Sequence, residues 1–468
     1  MRRALAAIMF FPRGGSAHAA RDLAQWLPDH GWEETIVSGT RRDLGPGADA
    51  HSFYRDLNVE VVDFTDALRD PHPLRFGGEG RAPMHPSYED RPDAPDRVFA
   101  GLDDFEFELQ VRAWSEALDR ARARSFDLLH LHHLTPINEA AARVAPEVPV
   151  VGQLHGTELL MLECVAAGPP PSWRHAERWA ERVREWATAC RFLIVAPGGI
   201  ERAESLLEVP HERLIAVPSG FDPNRFHRMS NGDRLSFWRQ HLVEQPQGWL
   251  PGGDPGSIGY AESDLSSFAD GVVLMFVGRF TEVKRVPVLL RAYAQAKDHF
   301  RRPAPLVLVG GYPGEWEGEH PSDVISEIGV KDVFLAGWRK RDVLPSFLAA
   351  ADVIVLPSVR EQFGQALVEG MACGLPAIAA RSIGAEGIID DGCTGWIVPG
   401  DDTDSMAAAL VSAVNNDAER RSRGHEARRA MLSRYAWPEI AGRVAEVFDA
   451  ACDGRASHTK PTREGSLD

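Results

Sequence analysis

The sequence predicts an α/β protein built from two doubly wound parallel sheets. Three observations carry that prediction. Short apolar runs of strand length recur along the chain and alternate with segments of helical spacing, the pattern of repeated βαβ units. Several of the runs are continuously apolar, as strands covered on both faces must be. With 468 residues, 44% of them hydrophobic and 25% charged, the chain can bury a large core and divide into two or more domains.

The first domain is expected over residues 1–225. Residues 5–11 read as its first strand, and Pro12-Arg13-Gly14-Gly15 interrupts it before helical spacing runs from 17 to 27. Met1-Arg2-Arg3 mimics the start of a signal peptide, but the interruption comes too early for one. Gly14 and Gly15 either bring backbone N–H groups to a phosphate-bearing ligand or make a tight turn. Strands follow at 35–37 and 59–62, a helix at 105–123 and a strand at 127–132. Residues 70–97 are rich in Pro, Gly, Asp, His and Arg without periodicity; a loop of that length reads as a functional lid or as a mobile insertion. His130, His132 and His133 end the strand at 127–132. Neither carboxylate nor cysteine accompanies them at ligand spacing, and alternate strand residues face opposite sides, so they are not read as a metal site. His133 is expected to face the crevice at the strand ends. A buried strand at 148–154 leads into His155-Gly156-Thr157-Glu158, where Glu158 can also serve the dipole of a first helical turn. Strands at 191–195 and 214–217 complete the domain.

Residues 226–271 are expected to be a linker with an insertion, carrying Pro246-Gln247-Gly248-Trp249, Pro251-Gly252-Gly253 and Pro255-Gly256. A second sheet domain follows over 272–435, with strands at 272–277, 306–309, 333–336, 352–356 and 375–379. Arg279 and Lys284 stand just past its first strand, at a helix entrance. Preorganised cations there suit a departing diphosphate; alone they would read as a solvated basic turn. The chain is helical from 403 to about 451, and 453–468 form a polar tail expected to be disordered.

The most informative stretch is 360–376, Arg-Glu-Gln-Phe-Gly-Gln-Ala-Leu-Val-Glu-Gly-Met-Ala-Cys-Gly-Leu-Pro. Pro357 and Ser358 end a strand, a loop follows, and helical spacing starts at Ala366. Gly364 lets backbone approach a ligand, and the N–H groups of Phe363, Gly364 and Gln365 form an anion site at the helix N-terminus. Glu361 and Glu369 bracket that site, separated by about 12 Å if the step were wholly helical. Glu369 can accept two hydrogen bonds from a vicinal diol such as a ribose, and Glu361 can reach a second sugar beyond the phosphates. On their own, two such glutamates would be solvated side chains.

Glu361 to Glu369, with Phe363, Gly364 and the Glu369-Gly370-Met371-Ala372-Cys373-Gly374-Leu375-Pro376 that follows, resembles the retaining glycosyltransferases of family 4. The resemblance is dense over 272–399 and thinner over the first 225 residues. It implies the GT-B fold: two Rossmann-like domains facing across a cleft, the first for the acceptor, the second for the nucleotide sugar, with a helix over 436–452 crossing back to the first. It also implies transfer of a hexosyl unit from a UDP-sugar, or next a GDP-sugar, to a small soluble acceptor, with retention and with no metal or other cofactor. In that scheme Arg279, Lys284 and the N-terminus at Phe363, Gly364 and Gln365 neutralise the leaving diphosphate. Glu369 holds the ribose, Glu361 orients the sugar and stabilises charge near its ring, and the Gly337-Trp338-Arg339 turn holds the base, with Arg339 in the donor set. Gly14 and Gly15 meet the pyrophosphate or sugar from the other side. His155 meets the sugar's hydroxyls or the acceptor, and His133 and Glu158 belong to the acceptor side. One departure stands out: Glu386 lies one place before Gly387, where the family has glutamate. With no clear nucleophile on the sugar's opposite face, the resemblance implies front-face attack in which the leaving phosphate takes the acceptor's proton. The competing readings are a lipid or polysaccharide glycosyltransferase, a GT-B phosphorylase, a sugar-nucleotide epimerase and a catalytically inactive nucleotide-sugar-binding protein.

Composition narrows the partners. A formal net charge of −17 disfavours nucleic acid and anionic membranes. Five scattered cysteines without a Cys-x-x-Cys pair fit a reduced cytoplasm, and no apolar run reaches the roughly 20 residues of a membrane span.

Overall fold

In the computed structural model the apolar runs become the strands of two parallel sheets, each in its own unit of the chain. The structure describes residues 1–12, 14–44, 49–88, 97–228, 234–361 and 363–454. Arg13, Gln362, parts of both insertions at 89–96 and 229–233, and the tail from 455 lie outside the described residues.

The first unit is Met1–Gly220 together with the last helix, Trp437–Asp453. Its strands are β1 (Arg2–Ile8), β2 (Trp32–Thr40), β3 (Val59–Asp63), β4 (Leu128–His132), β5 (Val150–Gln153), β6 (Phe192–Val195) and β7 (Leu214–Ala216). They pair in the order β3-β2-β1-β4-β5-β6-β7, always parallel. Residues of β1 and β4 alternate between the two faces of the sheet. Leu5, Ala7, Leu129 and Leu131 share one with Val111, Trp114 and Leu118 of the helix Asp104–Arg120. Ala4 and Leu128 share the other with Leu23, Trp32 and, from the last helix, Ile440, Val444 and Phe448. Every residue of β4 is buried, the two histidines included. The last helix is fastened by Arg443, which donates to the Ala216 carbonyl at 2.5 Å, and by the Arg2–Asp449 ion pair at 2.9 Å.

The segment 70–97, read as a lid or mobile insertion, is corrected over its described part. Leu74, Ala82, Met84 and Tyr88 are buried in the first unit's core. The Gln110 amide donates to the Met84 carbonyl at 2.6 Å, and the Tyr88 hydroxyl to the Leu134 carbonyl at 2.8 Å. Residues 82–88 are buried one after another on irregular backbone, a pattern without a period.

The second unit is Phe221–Ala436. Its strands are β8 (Leu274–Gly278), β9 (Leu306–Gly310), β10 (Val333–Gly337), β11 (Val353–Leu356), β12 (Ala377–Ala380) and β13 (Gly395–Val398), all parallel in the order β10-β9-β8-β11-β12-β13. Residues 234–271, read as linker and insertion, sit in this unit's core through Trp238, Leu242, Trp249, Leu265 and Phe268. They also cover β10, whose outer edge would otherwise offer unpaired backbone groups. The Leu335 N–H donates to the Tyr260 hydroxyl at 2.7 Å, and Trp249 Nε1 donates to the Gly311 carbonyl at 2.9 Å.

Replacing fully buried Trp249 with Ala should lower unfolding stability by about 3–5 kcal/mol. Equilibrium denaturation in urea measures this, and a loss under about 1 kcal/mol would mean the segment is surface ornament.

Candidate active site

Strand order in the second sheet reverses between β8 and β11, so the loops leaving these neighbours diverge and open a crevice at their carboxyl ends. After β8 comes the one-turn 3-10 helix Glu282–Lys284. The loop after β11 is tied to that turn: the Val359 N–H donates to the Val283 carbonyl at 3.1 Å, and the buried Ser358 hydroxyl donates to the same carbonyl at 3.2 Å. This tie sets Lys284 against Glu361 in an ion pair whose side chains are only 19% and 17% exposed.

Beyond Glu361 the chain must turn sharply into the helix Gln365–Ala372, and Gly364, at φ +82°, supplies the left-handed step. The loop is braced from the far side by Gly384, whose N–H donates to the Glu361 carbonyl at 2.8 Å. A Cβ at Gly384 would lie 2.8 Å from the Phe363 backbone. The step from Glu361 to Glu369 is therefore half loop and half helix. Glu369 is 4% exposed; its Oε1 accepts from Gln365 Nε2 at 3.1 Å, one turn earlier, and faces Arg341 Nη2 at 3.5 Å. Arg279 stands exposed at the end of β8 with no ion-pair partner among the described residues.

One sequence reading in this unit is corrected. Arg339 does not present its guanidinium to a ligand: it donates to the Ala336 carbonyl at 3.0 Å and the His241 carbonyl at 2.8 Å, and lies over the Phe347 ring. Burial pulls it down to about 10, still charged at pH 7. The arginine at the site is Arg341, two places on, which the sequence reading missed. Its neighbour Trp338 is 44% exposed and meets exposed Tyr312 edge-on at 5.7 Å. Glu386, the displaced glutamate, pairs with Arg381 at the surface.

In the first sheet the order reverses between β1 and β4. Gly14 precedes the helix Gly15–Trp26, and nothing lies within 4 Å of where a Cβ on either glycine would be. After β4, His133 takes a left-handed φ of +67°, and its Nδ1 lies 2.6 Å from Glu158 Oε1. The second Glu158 oxygen accepts from the His155 N–H at 3.3 Å. His133 and Glu158, expected on the acceptor side, are instead buried against each other and clamp the loop that carries His155. His155 itself is partly exposed, with Nε2 3.0 Å from His132 Nδ1. His130 pairs with buried Glu34 at 2.9 Å. Burial, with the neighbouring histidines, holds His132 and His155 well below the usual imidazole range. Among the described residues, no three His, Cys, Asp or Glu side chains are placed to hold a metal ion, and no helix is long and apolar enough to cross a membrane.

Comparison with known proteins gives these geometries a setting. Residues 13–225 match the family model described as Glycosyltransferase Family 4, and residues 271–416 match the model described as Glycosyl transferases group 1. A D-inositol 3-phosphate glycosyltransferase of Saccharomonospora viridis is 29% identical over 76% of this chain and 78% of its own length. An N-acetyl-alpha-D-glucosaminyl L-malate synthase of Bacillus anthracis is 24% identical over 71% of this chain and 77% of its own. Among solved structures, the sucrose-phosphate synthase of Thermosynechococcus elongatus superposes with a TM-score of 0.66 at 18% identity, covering 97% of this chain and 100% of its own. Anabaena HepE in complex with UDP and glucose does so with 0.63 at 17% identity, covering 96% and 100%. These two likenesses are of fold: paired Rossmann-like domains of the GT-B type.

The neutral histidines predict a pH response. In the unfolded chain they titrate near 6.5, whereas in the folded first unit they resist protonation, so stability is complete above that value and is lost as pH falls below it. Thermal unfolding between pH 7 and 5 should show a shallower decline in His132→Asn than in the wild type. Parallel declines would mean that His132 does not contribute.

Proposed function

Since the chain belongs to glycosyltransferase family 4, we propose that it moves a hexosyl unit from a nucleoside-diphosphate sugar to a small acceptor with retention at the anomeric carbon. The observation that carries this reading is the Lys284–Glu361 pair set beside the Glu369, Gln365 and Arg341 cluster at the β8/β11 reversal. The diphosphate takes Lys284, Arg279 and the N-terminus of the helix Gln365–Ala372, fixed positive groups that stabilise charge as it develops on the leaving group. Lys284 then exchanges Glu361 for phosphate oxygen, and the released carboxylate turns to the sugar, where it stabilises positive charge near the ring. Glu369 accepts from the ribose diol. The exposed Trp338 and Tyr312 give the base a stacking surface beside the Gly337 turn.

UDP is the preferred nucleotide, in keeping with the UDP complex of the HepE neighbour. The relatives named for inositol 3-phosphate and L-malate point to a small hydroxylated anion as acceptor. His155 faces the sugar's hydroxyls. The acceptor attacks on the face the diphosphate leaves, and a departing phosphate oxygen takes its proton. Arg279 and Lys284 carry the charge neutralisation, so no metal ion enters the scheme.

Calorimetric titration with UDP, GDP and ADP should show one of them binding, and Glu369→Ala should weaken it roughly ten- to hundredfold by removing hydrogen bonds to a charged group. Absence of binding by any of the three at millimolar concentration would remove the donor assignment. NMR of the product made with EDTA present should show the donor's own anomeric configuration. An inverted product ends the front-face scheme, and loss of activity in EDTA ends the metal-free one.

A further inference from the structure

His132 Nδ1 and His155 Nε2 lie 3.0 Å apart, and between two neutral imidazoles only one of these nitrogens carries the shared proton. The other nitrogen of His132 decides which. Its Nε2 is buried and has no hydrogen-bond partner among the described residues. Were His155 the donor, His132 would have to carry its own proton on that Nε2, leaving a buried N–H unsatisfied. Orphaned buried donors are rarer in proteins than under-satisfied acceptors. With His132 as donor, only a lone pair is left there.

Neither neighbouring histidine can replace His132 in this contact. His130 Nδ1 is taken by Glu34 at 2.9 Å, and His133 Nδ1 by Glu158 at 2.6 Å. We propose that His132 is a positioning residue which donates Nδ1–H to His155 Nε2 and so fixes the proton of His155 on Nδ1. His155 therefore meets its ligand as a hydrogen-bond donor to an oxygen lone pair, such as that of a sugar hydroxyl. It cannot act as the base for the acceptor, because Nε2 is occupied and Nδ1 is already protonated. The placing of a sugar at His155 rests on the function proposed above; the tautomer does not.

The test uses the full chain labelled with 15N-histidine and free of ligand, with His155 assigned by its loss in His155→Ala. Long-range proton–nitrogen correlations should show His155 protonated at Nδ1; protonation at Nε2 overturns the proposal. His132→Asn places an amide N–H where Nδ1–H stood, and should preserve both the tautomer and the rate to within about twofold. His132→Leu should give mixed tautomers of His155 and a roughly tenfold lower kcat/KM for the nucleotide sugar, with nucleotide affinity unchanged. Equal losses in both variants with the His155 tautomer unmoved would reduce His132 to a packing residue and overturn the proposal. A chain that shows the expected tautomer yet transfers no sugar disproves the proposed function and leaves the assignment of His132 standing.

Discussion

In an all-parallel sheet every strand ends at the same edge, so every loop that follows a strand is delivered to one side of the sheet. Helices must cover both faces, and where the strand order reverses the two flanking connections leave in opposite directions. That constraint places the chemistry in both units. In the first it sets the Gly14 turn after β1 and His133 after β4 at one reversal; in the second it sets Lys284 after β8 and Glu361 after β11 at the other. No residue of either set had to be brought from a distant part of its sheet. The local devices are then small: a carbonyl of Val283 shared by two donors, a left-handed glycine at 364, and a bare helix surface at Gly384.

The electrostatics of the second unit follow from burial. A carboxylate with little exposure is costly unless paired, and both glutamates are paired, Glu361 with Lys284 and Glu369 with Gln365 and Arg341. The same partners hold these side chains in place while the crevice is free of ligand. In the first unit the equivalent work is done by Glu158, which fixes His133 with one oxygen and the His155 backbone with the other.

Much of this was legible in the sequence because the signals were local. Strands buried on both faces announce themselves as unbroken apolar runs, and β11 was read that way. By contrast β13 has four residues, opens on Gly395 and is only half buried in its middle, too little for any period to show. Residues 234–271 looked like linker because Pro and Gly crowd positions 246–259, yet Trp238 and Trp249 are anchors whose partners lie in other segments. The same limit explains the arginines: Arg339 and Arg341 are chemically identical in sequence, and only their contacts, with the His241 carbonyl and with Glu369, separate them. His133 and Glu158 were each placed on the acceptor side, but a separation of 25 positions gave no sign that they would be spent on each other.

The last helix, Trp437–Asp453, belongs to the first unit although the whole of the second lies between them in the chain. Leu23, Trp32 and Ile194 have no complete core until Ile440, Val444 and Phe448 arrive. During synthesis the part of that sheet face covered by the last helix must wait while more than two hundred residues are added, whereas the second unit is contiguous. The apolar strip that the last helix will cover is thus the part of the nascent first unit that stays exposed longest.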